Sequence, residues 1–492
     1  MASVKIGFLN PPFLKNFSRP QRSPAVTKSG TLYFPMWLAY AVGYAEQEGY
    51  EVDLVDAPAA GMGPKATLDR LCRFAPQLLV VETSTPSIYN DVQFCEEVKQ
   101  HLPDVLILLT GTHVSALPEE TLKLNLAPDG IALGEYDITI KEVADALAGK
   151  KEISSVPGLC LRRDNGLMTT PERGLLTDLD ILPMVSPVYQ KFLDIRNYFN
   201  PNALFPMVTI TTSRGCPHRC IFCVYPQAMM GHRLRTRSVE NVVAEIEYII
   251  DHFPKAKSIF FEDDTFPANK KRCLAICRRM VEKGLKISWT TNARADLDLE
   301  TMQAMKDAGC RCLCVGFESG NQGLLDTIKK GITVEQMELF MENSRKTGML
   351  IHGCFIVGHP GETAETMQET LDLAIRLKPE SAQFYPVMVY PGTEAYRWYE
   401  SHDQLLTNDF SQWLTETGLH NTVIRGEELS GDDLVAFCDM ARRAFYLRPR
   451  YLVYKLVQVV TTPSELKRNL KSVKTFFKFL VFGTDRKSDS CS

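Results

Sequence analysis

Ser213-Arg214-Gly215-Cys216-Pro217-His218-Arg219-Cys220-Ile221-Phe222-Cys223 places three thiols at C-x3-C-x2-C spacing. The stretch directly follows an apolar, β-rich run, Met207-Val208-Thr209-Ile210-Thr211-Thr212. Three thiolates in a loop leaving a strand can each hold one iron of a cubane. A 4Fe–4S cluster ordinarily takes four thiolates, so three leave one iron open to chemistry. Zinc is the competing reading. Zinc sites more often show paired C-x2-4-C units or a Cys/His set, and no second pair follows here at a suitable distance. His218 lies inside the loop, but its offset beside Pro217 makes it a poor fourth ligand.

Outward from this loop, strand and helix alternate. Ser258-Ile259-Phe260-Phe261 reads as a strand ending at Glu262-Asp263-Asp264-Thr265, and Lys286 to Thr290 as one ending at Thr291-Asn292-Ala293-Arg294. Cys312 to Val315 ends at Gly316-Phe317-Glu318-Ser319-Gly320, and Leu350 to Val357 ends at Gly358-His359-Pro360-Gly361-Glu362. Helices are expected at 238–252, 268–283, 299–308 and 363–377, with Thr333 capping a shorter one. With strand Ala382 to Tyr385 this makes a partial (β/α)6 TIM-type barrel over residues 206–400. Each polar cluster falls at a strand's carboxyl end, where such barrels carry their chemistry.

This spacing, with Phe222 before the third cysteine, resembles the radical S-adenosylmethionine (radical SAM) superfamily. The resemblance implies a 4Fe–4S cluster on Cys216, Cys220 and Cys223, with S-adenosylmethionine (SAM) chelating the open iron. It also implies cofactor contacts by Asp263 and Asp264 (amino group), Asn292 and Arg294 (ribose or carboxylate), and Glu318 and Ser319. Phe222 is expected to pack on the cluster or the adenine. Helix capping is the plain alternative for the acidic residues, and for Asp264 it explains the position equally well.

Residues 1–150 show a second alternating unit, a doubly wound Rossmann-like sheet whose crevice lies at the strand ends. Its strands are read at 5–10, 51–56, 77–81, 105–109 and 130–133. Thr110-Gly111-Thr112-His113, Leu117-Pro118-Glu119-Glu120 and Gly134-Glu135-Tyr136-Asp137 resemble the cobalamin-binding domain that precedes many radical SAM cores. The loop after the first strand is Asn10-Pro11-Pro12-Phe13-Leu14, and no Asp-x-His-x-x-Gly motif occurs anywhere. Two readings stay open: cobalamin held without an axial histidine, or a crevice kept as a scaffold. His113 reads as a satisfied loop histidine, with a cobalamin contact as the alternative.

Residues 151–205 read as a linker with a hairpin near Arg162 to Gly166 and a short helix over 189–198. Residues 401–492 read as a helical C-terminal region. From Arg442 its charge turns basic, with Arg448, Arg450, Lys455, Lys467, Arg468, Lys471, Lys474 and Lys478 interleaved with Tyr451, Tyr454, Phe476 and Phe479. That pattern suits packing on the barrel with the cations outward, or peripheral contact with an anionic membrane. The tail from Thr484 is expected to be disordered.

Composition narrows the class. The chain has 492 residues, 45% hydrophobic and 23% charged, as globular proteins do. A net charge of −4 gives no general attraction to nucleic acid. The fourteen cysteines are scattered, as expected for core thiols in a reducing cytoplasm. Cys273 with Cys277, and Cys310, Cys312 and Cys314, read as packing residues. The start lacks the apolar core of a signal peptide, and no apolar run reaches the ~18 residues of a spanning helix.

Val224-Tyr225-Pro226-Gln227, Gly231-His232-Arg233 through Ser238, and Phe261 through Phe266 resemble the anaerobic magnesium-protoporphyrin ester cyclase subfamily, and within it the enzymes forming a hopanoid cyclitol ether. The resemblance implies radical rearrangement or cyclisation of a lipid-linked or isoprenoid substrate, with a flavodoxin- or ferredoxin-type electron donor. Its rivals are cobalamin-dependent C-methylation and a non-catalytic iron–sulfur or zinc scaffold.

Overall fold

The computed structural model describes residues 4–461. Two sheets organise them. In the first, β1 (Lys5–Asn10), β2 (Glu51–Asp56), β3 (Leu78–Glu82), β4 (Leu106–Thr110) and β5 (Gly130–Ala132) pair in parallel. The strand order is β2-β1-β3-β4-β5, so the winding reverses between β1 and β3. A doubly wound sheet opens its ligand crevice at that reversal. The hairpin expected near residue 164 forms β6 (Leu159–Arg163) and β7 (Gly166–Thr169). It extends this sheet's edge, antiparallel to β5. The strands of the parallel part are buried on both faces, as apolar runs covered by helices must be. The short helix of the connector runs over Ser186–Phe192, earlier than its pattern suggested, and Leu193 ends it in extended backbone.

β8 (Met207–Ile210) begins the second sheet. A small ribbon of β9 (Ser213–Arg214) and β10 (Arg235–Thr236) follows. β11 (Ser258–Phe261), β12 (Ser288–Ala293), β13 (Cys310–Glu318), β14 (Leu350–Val357) and β15 (Ser381–Pro386) complete it. All six long strands are parallel in the order β15-β14-β13-β12-β11-β8, the expected partial barrel. Local chemistry sets the helix starts between them. Side chains of Ser238, Asn269, Asp298, Asn321, Thr333 and Thr363 each accept a backbone N–H of the first turn. Those caps fix where each strand-to-loop segment ends. The polar loops are therefore held at one rim of the barrel.

Cys273, Cys277, Cys310 and Cys312 are buried as core thiols. The last described helix, Pro449–Thr461, leans on the barrel at its start. Tyr451 donates to the Glu380 carbonyl (3.0 Å), Tyr454 to its carboxylate (2.6 Å), and Lys455 pairs with the same carboxylate. Leu452 and Val453 remain exposed. The basic and aromatic positions from Lys467 onward, and the tail from Thr484, lie outside the described residues. Among the described residues no helix is long and apolar enough to cross a membrane.

Candidate active site

The cysteine loop is closed at its base by β9 and β10, which pair antiparallel. Gly215 turns the chain with φ of +81°, and a Cβ there would sit 2.4 Å from the Arg233 carbonyl oxygen. Only glycine meets both demands. Gly215→Ala is expected to cost roughly 1–3 kcal/mol in local strain. Reconstituted iron content should fall, while far-UV circular dichroism stays close to wild type.

The loop's backbone is satisfied by its own neighbours. The Gln227 side-chain amide donates to the carbonyls of Cys220, Ile221 and Cys223 at 3.0–3.2 Å. His232 Nδ1 donates to the carbonyls of His218 (2.9 Å) and Cys216 (3.2 Å). Arg272 donates to the Thr212 carbonyl at 2.7 Å. The three thiols are free of disulfides. Cys216 Sγ lies 4.0 Å from Thr265 Oγ1. Burial, then Asp264, raises the Cys216 and Cys223 thiols above their ordinary value. Bound metal cations reverse that balance. Among the described residues no three His, Cys, Asp or Glu side chains converge as a ligand set for one ion. A cubane makes no such demand, because each thiolate takes a different iron. Three free thiols on a rigid loop fit the cluster.

Around this loop the barrel rim gathers the other predicted residues, in unequal states. Asp263 is fully used: it accepts from Thr212 N (2.6 Å), Ser213 N (2.8 Å) and Thr212 Oγ1 (2.6 Å), bracing the strand that leads to the cysteines. Ser319 is likewise committed, against Thr370 Oγ1 and Asn321 N. Asn292 donates to the Asp263 carbonyl at 2.9 Å. Arg294 turns to the Lys330 carbonyl (2.5 Å) and Asp296 (3.4 Å). Asp264 pairs with Arg22 at 3.1 Å. Phe222 lies 5.4 Å from the His359 ring, centroid to centroid.

Glu318 stands apart. It adopts φ of +66°, a left-handed backbone rare for a glutamate, where the register between β13 and β14 shifts. Its Oε1 meets Lys330 Nζ at 2.7 Å with both side chains buried, and its Oε2 has no partner. A left-handed backbone and an unpaired buried oxygen are both uncommon for a glutamate.

Sequence reasoning passed over several rim residues. Lys330 and Arg22 stand in none of the motifs quoted above. His359 is buried with neither ring nitrogen partnered; burial, then Lys330, pushes its pKa down to about 3, leaving a neutral imidazole. Burial holds the phenols of Tyr33 and Tyr385 well above their ordinary value, so both are neutral hydroxyls. Glu262 and His359 did stand in the strand-end clusters quoted above, Glu262 beside two acids that were weighted above it.

The first sheet's crevice adjoins this rim. Arg214, on the cysteine loop's base, meets Asp137 at 2.6 and 3.1 Å, and Arg235 meets Glu135 at 2.6 Å. The Gly134-Glu135-Tyr136-Asp137 stretch thus clamps the crevice to the cluster loop. At the reversal between β1 and β3, Arg19 reaches Asp91 (2.5 and 3.2 Å), Asn10 Oδ1 and the Pro11 carbonyl (both 2.7 Å). Burial lifts Glu82, at the end of β3, to a pKa of about 8, and its Oε2 lacks a partner. Such an orphaned polar atom fits a ligand rich in amides, as the corrin periphery is. His113 lies in the short helix Thr112–Ala116 rather than in a loop, with Thr85 Oγ1 at 3.2 Å from its Nδ1 and the Phe410 ring edge-on to it.

Comparison with known proteins gives two family matches: the radical SAM superfamily over residues 210–374, and the B12 binding domain over residues 22–144. An uncharacterized methyltransferase, PH0819 of Pyrococcus horikoshii, is 30% identical over 435 residues, covering 88% of this chain and 92% of the relative. The anaerobic magnesium-protoporphyrin IX monomethyl ester cyclase of Rubrivivax gelatinosus is 24% identical, covering 92% of this chain and 80% of the relative. Among solved structures, the cobalamin-dependent radical enzyme OxsB superposes with a TM-score of 0.71 at 17% identity, covering 98% of this chain and 74% of that one. The methyltransferase TsrM of Kitasatospora setae superposes at 0.67 with 19% identity, covering 82% and 77%. At such identities these structures attest the shared fold.

Proposed function

We propose, from the premise that this chain belongs to the radical SAM superfamily as a cobalamin-dependent member, that it is a methyltransferase acting on a carbon of a small-molecule substrate. The observation that carries the reading is the near full-length match to a methyltransferase at 30% identity. Direct ion pairing of the crevice to the cluster loop supports it, because methylation needs both cofactor sites adjacent. The lipid or isoprenoid cyclisation suggested by motif likeness loses its footing. No hopanoid appears in the names of the similar proteins above. Ring closure of another substrate stays as the second reading, favoured by the cyclase relative that spans nearly the whole chain.

When bound, the cluster and SAM supply a hydrogen-abstracting radical, and cobalamin supplies the methyl group. The chain's own part is to hold, orient and exclude. Cys216, Cys220 and Cys223 are the proposed iron ligands. Asp264, Asn292, Arg294 and Glu318 surround the nucleotide, while Asp263 and Ser319 brace the strand ends behind them. Lys330 gives the buried Glu318 carboxylate a direct cationic partner, Nζ to Oε1 at 2.7 Å. The neutral His359, Tyr33 and Tyr385 offer hydrogen bonds without adding charge to a radical site. An electron donor of flavodoxin or ferredoxin type is proposed to reduce the cluster.

Product analysis separates the readings. The reduced protein is incubated, over many turnovers, with deuteromethyl-labelled SAM and a small-molecule cell extract. Methylation is expected to yield 5′-deoxyadenosine and S-adenosylhomocysteine in about equal amounts, with the label in a new product. 5′-Deoxyadenosine without S-adenosylhomocysteine would move the assignment to ring closure.

A further inference from the structure

We propose that Arg22, carried by the crevice domain, is a positioning residue that presents one oxygen of Glu262 to the cofactor's ammonium group in the barrel; this rests on the SAM-binding reading above. Arg22 lies on the long loop between β1 and the helix Met36–Gln47. Its guanidinium crosses to the carboxyl end of β11. There it pairs with Glu262 Oε1 and lies 3.1 Å from Asp264 Oδ1 and 3.4 Å from the Glu262 carbonyl. Asn292 Nδ2 approaches the same Oε1 at 3.5 Å. The other oxygen, Oε2, is buried without a partner on a residue that is 6% exposed. Leaving a buried carboxylate oxygen unpaired is costly unless a donor arrives. The neighbouring acid Asp263 cannot serve, since its three hydrogen bonds already hold the strand before the cysteines.

Charge counting points the same way. Glu262 and Asp264 are neighbouring carboxyl groups that share one guanidinium, so an arriving ammonium adds a second cationic partner. Arg22 also has little freedom to leave. Arg19 anchors the loop on one side through Asp91, with both side chains fully buried. Tyr225 holds the Pro20 carbonyl at 2.7 Å. On the other side Ser23 Oγ lies 2.9 Å from both Tyr390 Oη and His420 Nε2. A loop pinned on both flanks makes its arginine a fixed part of the barrel's site. The crevice domain therefore completes the pocket of the other cofactor.

The test uses the full chain, anaerobically reconstituted, and two probes: S-adenosylhomocysteine and 5′-methylthioadenosine. Both carry adenine, ribose and sulfur, but only the first has the ammonium group. Arg22→Gln is expected to weaken S-adenosylhomocysteine binding about tenfold or more, while 5′-methylthioadenosine changes less than about twofold. Arg22→Lys should recover part of the loss, and iron content should match wild type in both variants. Equal loss for the two probes would mean a merely structural role and overturn the proposal, as would unchanged S-adenosylhomocysteine binding in Arg22→Gln. Wild type that fails to prefer S-adenosylhomocysteine over 5′-methylthioadenosine would sink the SAM-binding reading itself, and this inference with it.

Discussion

Cys220→Ala protein, reconstituted anaerobically, is expected to lose its 4Fe–4S cluster and to cleave SAM at less than about a thousandth of the wild-type rate, a barrier rise of at least ~4 kcal/mol. Cys220 is the cleanest of the three positions to change. It is only partly buried, and its thiol makes no hydrogen bond among the described residues. Truncation therefore opens little cavity and strands no polar group. The loop keeps its shape through Gln227, His232 and Arg272, whose hydrogen bonds here go to backbone carbonyls and not to the Cys220 thiol. Loss of iron in a folded protein would then report on ligation alone. The measurements are iron and sulfide content, the electron paramagnetic resonance of the reduced protein, and 5′-deoxyadenosine formed. A variant that keeps the full iron complement and still cleaves SAM would show that these three cysteines are not the ligand set.

Arg19→Ala is expected to cost about 3–5 kcal/mol of apparent stability, the usual consequence of breaking a fully buried ion pair from one side. Both side chains of the Arg19–Asp91 pair are 0% exposed. Removing the guanidinium leaves Asp91 with only Ser87 Oγ (2.6 Å) and Asn90 Nδ2 (3.2 Å). It also strips the donors from Asn10 Oδ1 and the Pro11 carbonyl. The effect should spread beyond stability. Arg22 follows three residues later on the same loop, so S-adenosylhomocysteine affinity should fall as well. Combining Arg19→Met with Asp91→Asn should restore a large part of the stability, because the uncompensated charge is then gone. Thermal melts and limited proteolysis of the 11–35 loop measure the first effect. A stability change below about 1 kcal/mol in Arg19→Ala would show that water or other groups compensate the pair.

Much of the architecture was legible in the chain because the signals were local. The caps Ser238 and Thr333 begin helices where polar residues precede apolar periodicity. Buried parallel strands such as β8 and β11 read as continuous apolar runs. Strand limits were less legible. β12 begins at Ser288 and runs through Ala293, so Asn292 lies inside the strand rather than after it. Hydrogen bonding to β11 and β13, not the residue types, decides that extent. The turn near Arg162 to Gly166 read as a hairpin, but only its pairing with β5 shows that it belongs to the first sheet's edge.

Sequence by itself determined the cysteine spacing, the two alternating units, and the gathering of polar residues at strand ends. Each of these follows from covalent order and from the burial pattern of single elements. Tertiary structure alone decided which polar groups are spent and which are spare. Glu262, Asp263 and Asp264 are consecutive acids of one loop, and nothing in their order separates them. Asp263 is consumed by Thr212 and Ser213, Asp264 is paired with Arg22, and Glu262 keeps an open oxygen. The partners that make this difference are Thr212, Ser213 and Arg22, which lie 50 to 242 positions away along the chain. Hydrogen-bond satisfaction is a property of neighbours in space, so no reading of local sequence could have assigned it.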